Sequence, residues 1–138
     1  MNRDFAALVA AIEARSQRPF GWRRGRDCVS FAAACIKAMT GRNVLSDIPR
    51  WRSRREALAI AEELGGLEAA LDARLARIPP ALAQRGDIAG LPDAIFGVRL
   101  MVIEGETLVG PGARGAERLP RSAMVIAWSA TPPEPGDE

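Results

Sequence analysis

The stretch Arg26-Asp27-Cys28-Val29-Ser30-Phe31-Ala32-Ala33-Ala34-Cys35-Ile36 decides how this chain is read. Asp27 stands where an N-cap belongs, because a short carboxylate can accept from the unpaired N–H groups of a first helical turn. Gly41 supplies the stop signal. The helix expected between them, about Asp27 to Met39, is apolar nearly all round, and such a helix lies inside a domain. Its first turn carries a cysteine. A helix N-terminus favours a thiolate, and Arg26 adds positive potential. A cysteine nucleophile normally also needs an imidazole to take its proton, yet the 138 residues contain no histidine. The placement of Cys28 points to a nucleophile, while the composition removes its base. The competing reading packs Cys28 as a small hydrophobe at the helix entrance.

Upstream, Phe5, Leu8, Val9 and Ile12 recur at helical spacing and predict a helix from about Arg3 to Ser16. Pro19-Phe20-Gly21-Trp22 breaks it. Downstream, a third helix is expected over Trp51 to Leu64, stopped by Gly65-Gly66. A fourth is expected over Leu67 to Ile78, stopped by Pro79-Pro80. After Gln84 the texture changes to short β-branched runs: 86–91, 95–103, 107–109 and 124–128. Glu104-Gly105-Glu106 reads as a tight hairpin turn. The glycine-rich run 110–115 lacks the Lys-Ser/Thr of a phosphate loop and reads as a flexible connection between strands. Helices first and a small antiparallel sheet second is an α+β layout. One domain over residues 1–130 is expected, followed by a mobile Pro-rich tail at 131–138.

Composition narrows the classes. No apolar run approaches the ~18–20 residues of a membrane span, and the N-terminus lacks the layout of a signal peptide. The expected site of synthesis is a bacterial cytoplasm. Cys28 and Cys35 are seven residues apart on one helix, about 10 Å between Cα atoms, too far for a disulfide. With no histidine and no CxxC pair, neither a metal nor a cofactor is expected. The charge is uneven. Residues 1–55 hold 12 Arg and Lys against 4 Asp and Glu, and residues 56–138 hold 7 against 13. Basic clusters stand at Arg23-Arg24-Gly25-Arg26 and at Arg50, Arg52, Arg54 and Arg55. Arginine clusters invite a nucleic-acid reading. Without a helix-turn-helix or RNA-binding signature, a solvated helix edge or a patch facing an acidic protein is favoured.

Pro19-Phe20-Gly21-Trp22, followed by Asp27-Cys28-Val29-Ser30-Phe31 and a buried helix ending at Thr40-Gly41, resembles the opening of the NlpC-type, papain-like cell-wall cysteine peptidases. Arg85-Gly86-Asp87-Ile88 looks like the Pro-Gly-Asp-Leu strand of that superfamily. The strand that begins His-Val-Gly-Ile in the peptidases corresponds here to Ile95-Phe96-Gly97-Val98. The likeness is greatest to a phage and prophage branch with a Pro-Phe-x-Trp-Gly-x-x-Asp-Cys-x-x-Phe opening and a C-terminal Ala-Trp, here Ala127-Trp128. It covers roughly residues 18–128. The resemblance implies a papain-like fold with helices packed on a small antiparallel sheet or half-barrel.

The departures from that pattern bear on function. The histidine position falls on Ile95, or on Phe96 if the register slips. The third polar position falls on Val109-Gly110, and Arg23-Arg24 separate Trp22 from Gly25. Cys28 alone is retained, as a vestigial or weak nucleophile, with Asp87 as a candidate base. Without a base the thiol would keep a pKa near ~8.5. The resemblance thus implies an inactive or weakly active relative, a structural and binding module in the tail tip or tail-assembly complex of a phage or phage-derived particle. Its partners would be other tail proteins, with peptidoglycan as a further ligand, and it would travel into the virion. Phe20 and Trp22, with Trp128, are candidates for lining a groove, and Arg50, Arg52, Arg54 and Arg55 for binding. Two alternatives stay open: an active hydrolase of peptidoglycan peptide or amide bonds using Cys28, and a nucleic-acid-binding module.

Overall fold

The computed structural model describes residues 3–22 and 26–131. Among these residues four α-helices precede a six-stranded sheet. They are α1 (Phe5–Arg15), α2 (Cys28–Thr40), α3 (Arg54–Glu63) and α4 (Leu67–Arg74). The strands are β1 (Arg77–Ile78), β2 (Ile88–Asp93), β3 (Gly97–Glu104), β4 (Thr107–Gly112), β5 (Gly115–Pro120) and β6 (Ile126–Trp128). The sheet order is β1-β6-β2-β3-β4-β5, and every pairing is antiparallel. The chain is therefore α+β, with helices first. Among the described residues no helix is long and apolar enough to cross a membrane.

The alternation of β3 explains the layering. Val98, Leu100 and Val102 point to one face and pack under α1 and α2 with Leu8, Ile12, Phe31, Cys35 and Ile36. Met101 and Ile103 point to the other face and meet Ala89, Leu91, Leu108 and Ala127. A period of two places successive side chains on opposite faces, so one strand serves two cores. The second face is covered by Ile78, Leu119, Ala123 and Met124.

Helix α2 is capped as its sequence predicts. Asp27 accepts from Ser30 N–H, and Gly41 closes the other end at φ 80°. The Glu104-Gly105-Glu106 turn also forms, with Gly105 at φ 65° and Glu104 opposite Thr107. Three expectations are corrected. The fourth helix stops at Arg74, because Leu75 turns extended and Arg77–Ile78 leave to pair with β6. The third helix begins at Arg54, not Trp51, because Ser53 caps it. The expected loop over 110–115 is most of a hairpin, in which β4 and β5 pair from Thr107↔Pro120 to Gly112↔Gly115. Gly115 is required there: at φ 122° a side chain would collide with the Ser16 carbonyl.

That hairpin also anchors the segment after α1. Ala116 N–H donates to Ser16 O at 2.9 Å and Phe20 N–H to Gly112 O at 2.7 Å. Residues 16–20 are thereby clipped to the β4–β5 end, which carries Phe20 and Trp22 toward the N-terminus of α2. Of the segments singled out in the sequence, Arg23-Arg24-Gly25 and tail residues 132–138 lie outside the described residues.

Candidate functional site

A cleft of about 430 Å³ opens at the N-terminal end of α2. Cys28 and Val29 line it from α2, Val98 and Arg99 from β3, Leu67 and Leu71 from α4, and Ala57, Ile60, Ala61 and Leu64 from the inner face of α3. Phe20, Trp22 and Phe96 stand together at its wall. Phe20 meets Trp22 edge-on at 4.9 Å, and Trp22 stacks on Phe96 at 5.4 Å. The Arg54 guanidinium lies 6.0 Å over Trp22.

The electrostatics around the sulfur run against catalysis. Burial pushes the Cys28 thiol up to about 11, and the neighbouring Asp27 and Asp93 push in the same direction. A hydrogen bond from the Leu100 backbone and the charge of Arg99 oppose this and do not prevail. The helix-terminus argument made from sequence anticipated a stabilised thiolate. Desolvation in an apolar cleft overrides it. The protonated thiol is the form this setting favours at neutral pH. Cys35, deeper on α2, is raised by burial to about 12. Both cysteines are free.

Among the described residues two carboxylates come near the sulfur, Asp27 and Asp93, and each already holds backbone N–H groups. Asp27 is adjacent in sequence, but its oxygens are engaged. Oδ1 accepts from Ser30 N–H at 2.9 Å, and Oδ2 accepts from Ser30 Oγ at 2.9 Å and from Trp51 Nε1 at 3.1 Å. Burial raises its pKa, and these hydrogen bonds hold it down in part. Asp93 Oδ2 accepts from Ile95 N–H and Phe96 N–H, closing the turn between β2 and β3. Arg99 reaches Glu117 Oε1 and Pro111 O at 3.4 Å each. Ile95 and Phe96, which the resemblance aligns with the peptidase histidine, do line the cleft, and both are hydrocarbon. Val109 is buried in the helix-side core, and Gly110 abuts Met101 on the opposite face.

Asp87, the candidate base, is not brought to Cys28. It is 1% exposed and does not line the cleft. Its Oδ1 accepts from Arg3 Nη2 at 2.6 Å and Ala130 N–H at 3.0 Å, and its Oδ2 from Gln84 N–H at 2.7 Å. Arg3 also donates to Arg85 O and Thr131 Oγ1. Asp87 is a clamp joining the start of the described chain to its end.

A family model described as "Domain of unknown function (DUF6950)" matches residues 3–130. The chain belongs to this family. No curated protein matches it. The limits of the family match coincide with the clamp, since Arg3 and Ala130 both bond Asp87.

The other sequence candidates divide. Phe20 and Trp22 line the cleft, but Trp128 does not; it is buried, with Nε1 donating to Asp72 Oδ1 at 2.8 Å and Arg77 stacked on its ring. Arg50, Arg52, Arg54 and Arg55 are exposed around the start of α3 and do not line the cleft themselves, although Trp51 between them does and Arg54 reaches over Trp22 at its wall. Trp51, read from sequence as part of a charged helix edge, is 6% exposed and packs with Ala33 and Leu45. Phe96 and Arg99 were not singled out as site residues. Their signal was available in the alternation of β3 with the turn before it.

Proposed function

We propose that this chain is a papain-like, NlpC-type domain that has lost hydrolytic chemistry and serves as a structural and binding module. By its resemblance to the phage branch, its place is the tail tip or tail-assembly complex of a phage or phage-derived particle. The observation that carries the reading is the surroundings of Cys28: a sulfur at the head of the central helix, raised to about 11 by burial, with hydrocarbon where the base belongs. Acyl transfer needs a thiolate to attack and an acid to protonate the leaving amine. Asp27 is committed to capping and to Trp51, and the Arg99 guanidinium offers only donors. What remains is an apolar cleft with an aromatic wall and a charged rim, which is the make-up of a binding site.

The first test is alkylation of Cys28 by iodoacetamide across pH, with Cys35→Ser to isolate the signal. Labelling should climb steadily from neutral pH toward 11 with no plateau near 8.5, because the protonated thiol persists until then. A plateau at or below pH 8, or Cys28-dependent release of peptides from peptidoglycan, would establish the active hydrolase instead. Mass spectrometry of purified particles tests the location; absence of the chain from them would end the tail assignment.

A further inference from the structure

Arg50, Arg52, Arg54 and Arg55 cluster around the start of α3, and all four are exposed. Arg3, Arg74, Arg77, Arg85 and Arg99 all have carboxylate partners. Among the described residues, none of these four makes an ion pair. Two of them, Arg54 and Arg55, occupy the first turn of α3, while Glu62 and Glu63 occupy its last turns. Glu56 shares that first turn, and its carboxylate already accepts from Arg52 N–H at 2.6 Å. A further anion seated among the four guanidiniums would relieve their mutual repulsion. The patch adjoins an apolar cleft with an aromatic wall, so the complementary ligand combines carboxylates with stiff apolar groups.

Residues 132–138, Pro-Pro-Glu-Pro-Gly-Asp-Glu, have that composition: three carboxylates and three prolines. Prolines stiffen a chain before it binds and pair well with aromatic surfaces. A chain delivers the whole of this segment more readily to a second copy than to its own patch. Thr131 is held by Arg3 beside the C-terminal end of α2, where Asp4 N–H donates to Met39 O. Arg54 lies over Trp22, and Trp51 bonds Asp27 at the opposite end. The 13-residue helix between them is about 20 Å long. Glu134, three residues past Thr131, extends at most ~11 Å from it, and only Asp137 and Glu138, at ~21 and ~25 Å in full extension, span that length. We propose that the Pro132–Glu138 segment of one copy docks on the Arg50–Arg55 rim and the cleft mouth of a second copy.

The contact joins two different surfaces, so it is head-to-tail and generates a ring or a filament. It rests on the reading of the chain as a binding module and names a partner for the same cleft. A polyphosphate fits less well, because it has no apolar group to set against the aromatic wall of Phe20, Trp22 and Phe96.

Analytical ultracentrifugation of the full chain and of a chain ending at Thr131, with a fluorescein-labelled peptide of residues 131–138, tests the proposal. The mass of the full chain should rise with concentration, and the truncated chain should stay monomeric and bind the peptide. Arg52→Glu with Arg55→Glu should weaken peptide binding about tenfold or more, as should high salt. Reversing Glu134, Asp137 and Glu138 to Arg in the peptide should restore binding to that variant, a rescue that misfolding cannot mimic. Undiminished association of the truncated chain would overturn the proposal. So would peptide binding indifferent to the Arg reversals, a monomeric full chain that refuses the peptide because its own tail occupies the site, or tighter binding of a short thymidine oligonucleotide than of the peptide. Peptidoglycan hydrolysis would end the pseudo-enzyme reading and leave this measurement standing. Failure of association would leave that reading untouched.

Discussion

The two ends of α2 are built on opposite principles. At the C-terminal end, Arg3 and Asp87 are buried, paired and surrounded by backbone partners. At the N-terminal end, the chain leaves a cleft about 430 Å³ in size under α3, a helix with no buried residue. Of the polar groups there, Asp27 is satisfied, Cys28 is desolvated, and Arg99 holds its partners only at 3.4 Å. One end holds the fold closed and the other presents volume and charge. A site for chemistry or binding is sought at the second end, where the Asp-Cys motif lies, and not at the Gly-Asp motif that offered Asp87 as a candidate base.

The comparison breaks most visibly at Asp87. Asp87→Ala should cost about 3–5 kcal/mol, because it leaves the Arg3 guanidinium buried beside two N–H groups that have lost their acceptor. Urea unfolding measures it. Pairing the change with Arg3→Met should recover much of the loss, since the uncompensated charge leaves with its partner. A loss below about 1 kcal/mol would mean that the clamp does not close the domain.

A smaller effect is expected at the boundary between the two regions. Trp51→Phe keeps an aromatic ring among Ala33, Leu45 and Ile60 and removes only the indole N–H that Asp27 accepts. The loss should be about 1–2 kcal/mol by thermal or chemical unfolding. Asp27→Asn should cost a similar amount, because one of its oxygens is replaced by a donor that cannot serve both Ser30 and Trp51. A neutral result for both would show that the cleft wall is held by packing alone.

The central helix was legible because its cap, its apolar run and its glycine stop agree with one another. The β3–β4 hairpin was legible for the same reason. Strand β5 was not, since Gly115-Ala116-Glu117-Arg118-Leu119-Pro120 has little β-branched character and pairs because β4 offers it an edge. Trp51 misled because its charged neighbours set the local texture while its own ring turns inward to Asp27. Asp87 misled because a motif locates a residue in sequence and not its partner in space: Arg3 lies 84 residues away. The cleft itself assembles from five separate segments, and no local pattern encodes such a volume. Legibility followed locality, and the parts that matter most for function are the least local.

The smallest effect is expected in α3, and it sharpens the contrast most. A fully buried isoleucine truncated to alanine costs about 2–5 kcal/mol. Ile60 is only half-buried, on a helix with no buried residue, facing open cleft. Ile60→Ala should therefore cost less than about 1 kcal/mol, whereas Ile36→Ala in α2, whose side chain is 1% exposed, should show the full penalty. Gly65 and Gly66, at φ 86° and 105°, follow α3 and give its end a backbone that other residues rarely adopt. Hydrogen exchange should accordingly find the α3 amides opening far more readily than those of α2, because few buried contacts resist local unfolding. Occupation of the cleft should slow that exchange by filling the space beneath Ile60 and Leu64. Equal protection of α3 and α2 in the free protein would make the cleft wall as rigid as the core, and the division drawn between the two ends would fall.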